Sequence, residues 1–190
     1  MNDNKILVVD LESAGFQAKG GSIVELGLVE VDLESGEITT LFDSLVREDI
    51  LSAKHRESSE YNWIFQNSDL TPEMVRNAPS QHEVYPKFQA IIDQYPNGIT
   101  AFNRNFDIPY LQSRDIKFGK LLPCPMLLLT NIMKLPSPRG NGYKWPKVIE
   151  AFPFLFPDVD YNEAHRGASD ARDEALIVLE MYKRGWYKID

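Results

Sequence analysis

Ile6-Leu7-Val8-Val9-Asp10-Leu11-Glu12 is the stretch whose reading decides the fold: four consecutive apolar residues lead into two carboxylates placed two positions apart. A short apolar run containing Val and Ile reads as a strand buried on both faces. Successive side chains of a strand point to opposite faces, so Asp10 and Glu12 share one. Two carboxylates held side by side repel each other unless a cation sits between them. Oxygen donors of this kind suit Mg²⁺ or Mn²⁺, which points to a divalent-metal site at the end of a central strand. The pattern is not specific by itself. It recurs as Asp32-Leu33-Glu34, where Ser35-Gly36 follows and the reading is a hairpin turn, and the chain holds 28 acidic residues.

The chain as a whole bounds the answer. Its 190 residues read as one domain, 1–190, long enough to bury a core without disulfides. With 43% hydrophobic and 25% charged residues the composition is that of a globular protein. No apolar run approaches the roughly 20 residues needed to span a bilayer. The start, Met1-Asn2-Asp3-Asn4-Lys5, lacks the apolar segment of a signal peptide, so the cytoplasm is the expected compartment. Cys124, the single cysteine, reads as a small core residue. A net charge of −8 argues against a broad basic face that holds duplex nucleic acid. It is compatible with an enzyme that grips only a chain end, because bound cations reverse the field around clustered carboxylates.

Outward from the first strand, Ser13 to Gly21 is a polar loop, Ile23 to Val31 a second strand, and Ile38 to Val46 a third, which together make an antiparallel meander. Glu48 to Ser59 reads as a charged surface excursion with His55 solvated. Thr71-Pro72-Glu73 carries helix-start chemistry, and Ser80-Gln81-His82-Glu83 is a capping box before Val84, Phe88, Ile91 and Tyr95 at helical spacing. That leaves His82 on the surface of a first helical turn. Ile99 to Phe102 reads as a fourth strand, and a helix begins near Pro109. Leu121 to Leu129 reads as a short fifth strand followed by a helix. Leu135 to Pro146 is a Pro- and Gly-rich loop, Ala151 to Leu155 another helix, and Ser169 to Arg184 a clear amphipathic helix with an acidic start.

Two further stretches offer the same kind of chemistry. Asn103-Arg104-Asn105-Phe106-Asp107 follows the fourth strand directly, and open α/β sheets place their sites just beyond strand ends. His165-Arg166-Gly167-Ala168-Ser169-Asp170 leads into the last helix, where His165 must belong to the preceding loop to face the same cleft as Asp170.

In order and spread, Asp10-x-Glu12, Asn103-x-x-x-Asp107 and His165-x-x-x-x-Asp170 resemble the three motifs of the DEDDh 3′→5′ exonucleases, a group with the ribonuclease H-like fold. Ile23-Val24-Glu25-Leu26-Gly27, Leu70-Thr71-Pro72-Glu73-Met74 with Ala78-Pro79, and Gly142-Tyr143-Lys144-Trp145-Pro146-Lys147 are similar to stretches of bacterial members, so the likeness runs from Ile6 to Tyr182. The resemblance implies an α/β domain with a mixed five-stranded sheet flanked by helices. It also implies two divalent cations, Mg²⁺ or Mn²⁺, held by Asp10, Glu12, Asp107 and Asp170, with Asp10 bridging both and His165 as general base. The tyrosine branch of the superfamily has Tyr four residues before the last Asp; Arg166 stands there, so the histidine branch fits. Ser13 replaces the Thr of many members and keeps the hydroxyl. Gly167 is expected to loosen the loop carrying His165.

The inventory suits phosphodiester hydrolysis. A phosphodiester is anionic and repels hydroxide, so its cleavage needs a charge clamp and a nucleophile available near neutral pH. An imidazole ordinarily titrates near pH 6.5 and can take the proton of an attacking water. The expected substrate is the 3′ end of single-stranded DNA or RNA, with DNA favoured slightly by analogy. An RNA 3′-end trimmer and a non-catalytic binding module on the same fold are the alternatives. Phe16 and Phe106 flank the motifs as stacking or core residues, Asn103 either positions a terminal sugar or caps its helix, and Ser13 completes the candidate substrate contacts. Lys144, Trp145 and Lys147 form a basic-aromatic group that either touches the strand or, the favoured reading, packs Trp145 with the two lysines solvated around it. No residue pattern assigns a partner protein or a homodimer.

Overall fold

The structure is a computed structural model that describes residues 4–48 and 59–189. His55 and the 49–58 part of the expected excursion lie outside the described residues. Strand β1 (Lys5–Ala14) runs antiparallel to β2 (Ser22–Asp32), which pairs with β3 (Ile38–Leu45); β4 (Ile99–Thr100) joins the other edge of β1 in parallel. The order β3-β2-β1-β4 puts the opening stretch in the middle of the sheet.

Alternation along β1 builds two cores at once. Ile6 and Val8 enter a cluster with Ala171, Ala175 and Val178 of the last helix, α7 (Gly167–Lys183). Leu7, Val9 and Leu11 face the opposite layer, with Val84 and Phe88 of α3 (Gln81–Ile92) and Ile108 and Leu111 of α4 (Arg104–Gln112). By the same parity Asp10 and Glu12 point toward α7. A third, smaller cluster joins Ala14 and Val24 to Tyr61 and Ile64 of α1 (Ser59–Asn67) and Val75 of α2 (Pro72–Arg76). Two more helices, α5 (Pro125–Met133) and α6 (Val148–Leu155), complete the α7 layer.

Most element expectations hold, and the turn at Asp32 is the hairpin its Ser-Gly suggested: the Asp32 carboxylate accepts from the N–H groups of Glu34 and Ser35, and Gly36 takes φ 79°. Three do not. The sheet has four strands, since the expected fifth is reduced to one bridge between Ile99 and Leu121. Pro123 has no N–H to continue a ladder, and Pro125 already opens α5. Helix α4 begins at Arg104, five residues before Pro109, which lies inside it. Glu48 is buried rather than part of a surface excursion, and it receives a bidentate pair from Arg114 at 2.7 and 2.9 Å.

Candidate active site

The C-terminal half of β1 ends in a register shift between Glu12 and Ser13, where Val24 of β2 stands without a partner. A bulge there bends the pair and re-aims the side chains beyond it. Asp10 is partly buried; Glu12 is 8% exposed. Against them α4 brings Asp107 and α7 brings Asp170, each 4% exposed. Asn103 caps α4 through its backbone carbonyl, which accepts from Phe106 N–H at 2.7 Å, while its side chain makes no capping bond and lines the cleft.

His165 is held just ahead of α7 in the left-handed region, at φ 52°. Nitrogen and oxygen donors of His165, Glu12 and Asp170 lie within 4.8 Å of one another. The neighbouring residues fasten this loop to the sheet. Arg166 binds the buried Glu25 through Nη2 at 2.8 Å and Nε at 3.1 Å and reaches Asp69 at 3.0 Å, and Gly167 N–H donates to Glu25 at 2.9 Å. Gly167 therefore does not loosen the loop. It abuts Gly27 so closely that a Cβ built on Gly27 would stand 2.1 Å from the Gly167 carbonyl carbon. The approach is possible only without side chains and draws the start of α7 onto β2.

Crowding and burial oppose ionisation throughout the cluster. Burial, then the charges of Asp170 and Glu25, pushes Glu12 up to about 9. Burial raises Asp107 to about 8 against the N–H groups of Leu11 and its own backbone, and raises Asp170 to about 7 with the help of Glu163. Asp10 rises well above the usual carboxylate range through burial and the charge of Glu174. Such a set invites cations, and one atom supports the fit directly: Asp170 Oδ1 is buried with no hydrogen-bond partner, while Oδ2 accepts from Arg166 N–H at 3.1 Å. A divalent ion is the partner this chemistry asks for.

Two residues near this site carry no sequence motif. Glu174, one turn beyond Asp170, is buried, accepts from Phe102 N–H at 3.0 Å, and is itself raised by burial and by Asp107. Its place on the same stripe as Ala171 and Ala175, rather than on the charged face of α7, was the available signal. Trp63 of α1 packs its ring edge-on to His165 at 5.0 Å.

Two cavities flank the carboxylates and share Leu11, Trp63 and Phe106 in their walls. The first, about 540 Å³, is lined by Glu12, Ser13, Phe16 and Trp63. The second, about 600 Å³, is lined by Asp10, Asp107, Glu174 and His165 and also by Trp145 and Lys147. Phe16 is 52% exposed, so it is not core; Phe106 is partly buried against Tyr110 yet reaches both cavities. Trp145, expected to be packed, is 61% exposed.

Fold and site together define an α/β nuclease whose carboxylates are grouped for divalent cations. The chain belongs to the RNase T exonuclease family, whose profile matches residues 7–178. It is 25% identical over 182 residues to DNA polymerase III PolC-type of Clostridium perfringens, covering 96% of this chain and 11% of that protein. With the 3′-5′ exonuclease DinG of Bacillus subtilis it shares 26% over 186 residues, 97% of this chain and 18% of the relative. The chain thus spans between a tenth and a fifth of these two relatives. DNA polymerase III subunit epsilon of Aquifex aeolicus is 25% identical over 98% of this chain and 84% of its own length. Among solved structures, a 3′-exonuclease recognising a histone mRNA stem-loop superposes with TM-score 0.70 at 17% identity, over 97% of this chain and 84% of that one. Exonuclease I of E. coli bound to a dT13 oligonucleotide superposes at 0.67 and 10%, over 95% and 41%. Among the described residues no helix is long and apolar enough to cross a membrane.

Proposed function

We propose that residues 1–190 form a single exonuclease domain that removes nucleotides from the 3′ end of single-stranded nucleic acid, DNA in preference to RNA, and releases nucleoside 5′-monophosphates. The observation that carries this reading is the convergence of Glu12, His165 and Asp170 within 4.8 Å, between two cavities that can take nucleotides on either side of a scissile phosphate. The preference for DNA rests on the DNA polymerase III relatives.

Asp10, Glu12, Asp107 and Asp170 would hold two Mg²⁺ or Mn²⁺ ions, which when bound neutralise the scissile phosphate and make a water more acidic. His165 takes a proton from that water as its oxygen attacks phosphorus. The bond from phosphorus to the 3′ oxygen of the penultimate nucleotide breaks; that oxygen leaves with the electron pair and is protonated from solvent. The terminal nucleotide departs with its 5′ phosphate. The cavity of about 540 Å³ receives the terminal nucleoside, with Phe16, Phe106 and Trp63 around the base and Ser13 and Glu12 near the sugar. Asn103, in the second cavity, orients the sugar–phosphate from the other side.

The test is digestion of 5′-labelled single-stranded DNA and RNA of matched sequence, with Mg²⁺, Mn²⁺ or EDTA, by wild type and Asp10→Ala. A metal-dependent ladder shortening from the 3′ end, absent in the variant, is the expected result, with DNA degraded faster. Faster degradation of RNA would make the protein a 3′-end trimmer of RNA. Both strands surviving under either metal would remove the enzyme reading in favour of a binding module.

A further inference from the structure

We propose that Trp145, which lines one cavity with Ile149 and Lys147, is the platform on which the penultimate base of the substrate stacks, so that the enzyme reads a dinucleotide end rather than a lone terminal nucleotide. The proposal rests on the exonuclease reading above and adds a residue that reading does not use.

Trp145 is 61% and Ile149 44% exposed, and both line the cavity that also holds Asp10, Asp107 and His165. A large apolar side chain left in water next to a polar cleft marks a contact surface rather than a packing residue. The platform is braced. Lys144 N–H donates to Leu135 O at 2.9 Å, and a bridge joins Pro136 to Tyr143. The Glu150 carboxylate accepts from Lys147 N–H at 3.0 Å and pairs with the Lys144 amine. A Trp held on a braced loop loses little freedom on binding, which favours affinity.

Position names the ligand. The terminal nucleoside occupies the cavity on the Glu12 side, so the strand on the 5′ side of the scissile phosphate must leave through the cavity on the other side. Trp145 and Ile149, both exposed, line it. Among the described residues lining that cavity Lys147 is the only lysine or arginine, in a chain of net charge −8, which makes it the cation available to the next phosphate. An indole takes any base, so the contact would be tolerant of sequence.

The test is a cycle between protein and substrate. A 5′-labelled tetrathymidylate, and the same strand with an abasic tetrahydrofuran at the penultimate position, are compared on wild type, Trp145→Ala and Trp145→Phe. Two readouts are used: kcat/KM with Mg²⁺, and anisotropy-measured binding with Ca²⁺ in its place. Removing the base should cost wild type roughly 5- to 150-fold in both readouts. Trp145→Ala should lose the same factor on the intact strand and nothing more on the abasic one, while Trp145→Phe keeps most of the wild-type value. Moving the abasic unit to the 3′ terminus should weaken wild type and Trp145→Ala equally. Additive losses, or a Trp145→Ala protein equal to wild type, would overturn the platform. A wild type that cleaves nothing would sink the exonuclease reading instead, and the binding cycle would still decide whether Trp145 holds the base.

Discussion

His165 is a residue in an uncomfortable backbone conformation beside an unpartnered carboxylate oxygen, and what holds it there is its neighbour. Arg166 makes a planar fork onto Glu25, a carboxylate only 1% exposed, and its remaining arm reaches Asp69. Glu25 lies directly opposite Glu12 in the β1–β2 register, so the fork ties the loop histidine to β2, the neighbour of the strand that presents the candidate ligands Asp10 and Glu12. Removing the guanidinium leaves Glu25 buried with the Gly167 N–H still donating to it but its charge no longer matched, at a cost of about 1–3 kcal/mol. The loop should relax and displace the imidazole. Arg166→Ala should lower kcat on the order of 10- to 100-fold with KM nearly unchanged. Arg166→Lys should recover only part of this, because an ammonium cannot reproduce the fork. Steady-state kinetics on a labelled strand decide it. Activity within twofold of wild type would mean that Arg166 merely decorates the surface.

Among elements, the contact of β2 with the start of α7 sets the distance between Asp10 and Asp170, and two glycines set that contact. Gly27 stands opposite Asp10 on the neighbouring strand, and a Cβ on it would meet backbone atoms of Gly167 and Ala168 at 2.1–2.3 Å. The same atom on Gly167 would meet Gly27 N at 2.9 Å, a lesser intrusion. Overpacking costs about 1–3 kcal/mol, and each kcal/mol lowers Tm by roughly 2–4 °C at this size. Gly27→Ala should therefore melt several degrees lower and lose activity, Gly167→Ala should do so less, and Gly119→Ala, with nothing within 4 Å, should match wild type. Differential scanning calorimetry gives the order; Gly167→Ala worse than Gly27→Ala would contradict this account of the interface. The motifs at β1, α4 and α7 were legible because each combines an apolar period with a carboxylate at the element's end. Helix α1 was not: Tyr61 and Ile64 are its buried residues, and no Pro or Gly marks its start. Trp63 stayed hidden with it. Glu174 belongs to no motif, and only packing shows that it is buried and accepts from Phe102 N–H. The fifth strand failed for a local reason, two prolines in the run, that the apolar pattern outweighed.

Across the whole molecule, the fold confines several carboxylates to one end of the sheet, and the metal-free protein must bear their repulsion. Glu12, Asp107 and Asp170 sit at about 9, 8 and 7, against ordinary values of 4.5, 3.8 and 3.8. A raised value means that the folded chain holds its proton more tightly than the unfolded one. The resulting stabilisation is complete below the ordinary values and is lost as pH climbs through 7 to 9. Asp32 and Glu150, which are lowered, lose their contribution only as pH falls below the ordinary carboxylate range, so they leave this window undisturbed. In EDTA the Tm should accordingly fall steadily between pH 5.5 and 9. Mn²⁺ or Mg²⁺ competes with protons for the same oxygens, so the rise in Tm on adding metal should be larger at pH 8.5 than at pH 5.5. Asp107→Asn removes one of the crowded charges and should flatten the metal-free profile while shrinking the metal response. Thermal melts at fixed ionic strength across this range suffice. A metal-free Tm that is level or rising between pH 6 and 9 would show that the carboxylates are already relieved by other means, and the cluster would lose its claim to be a cation site built at the expense of stability.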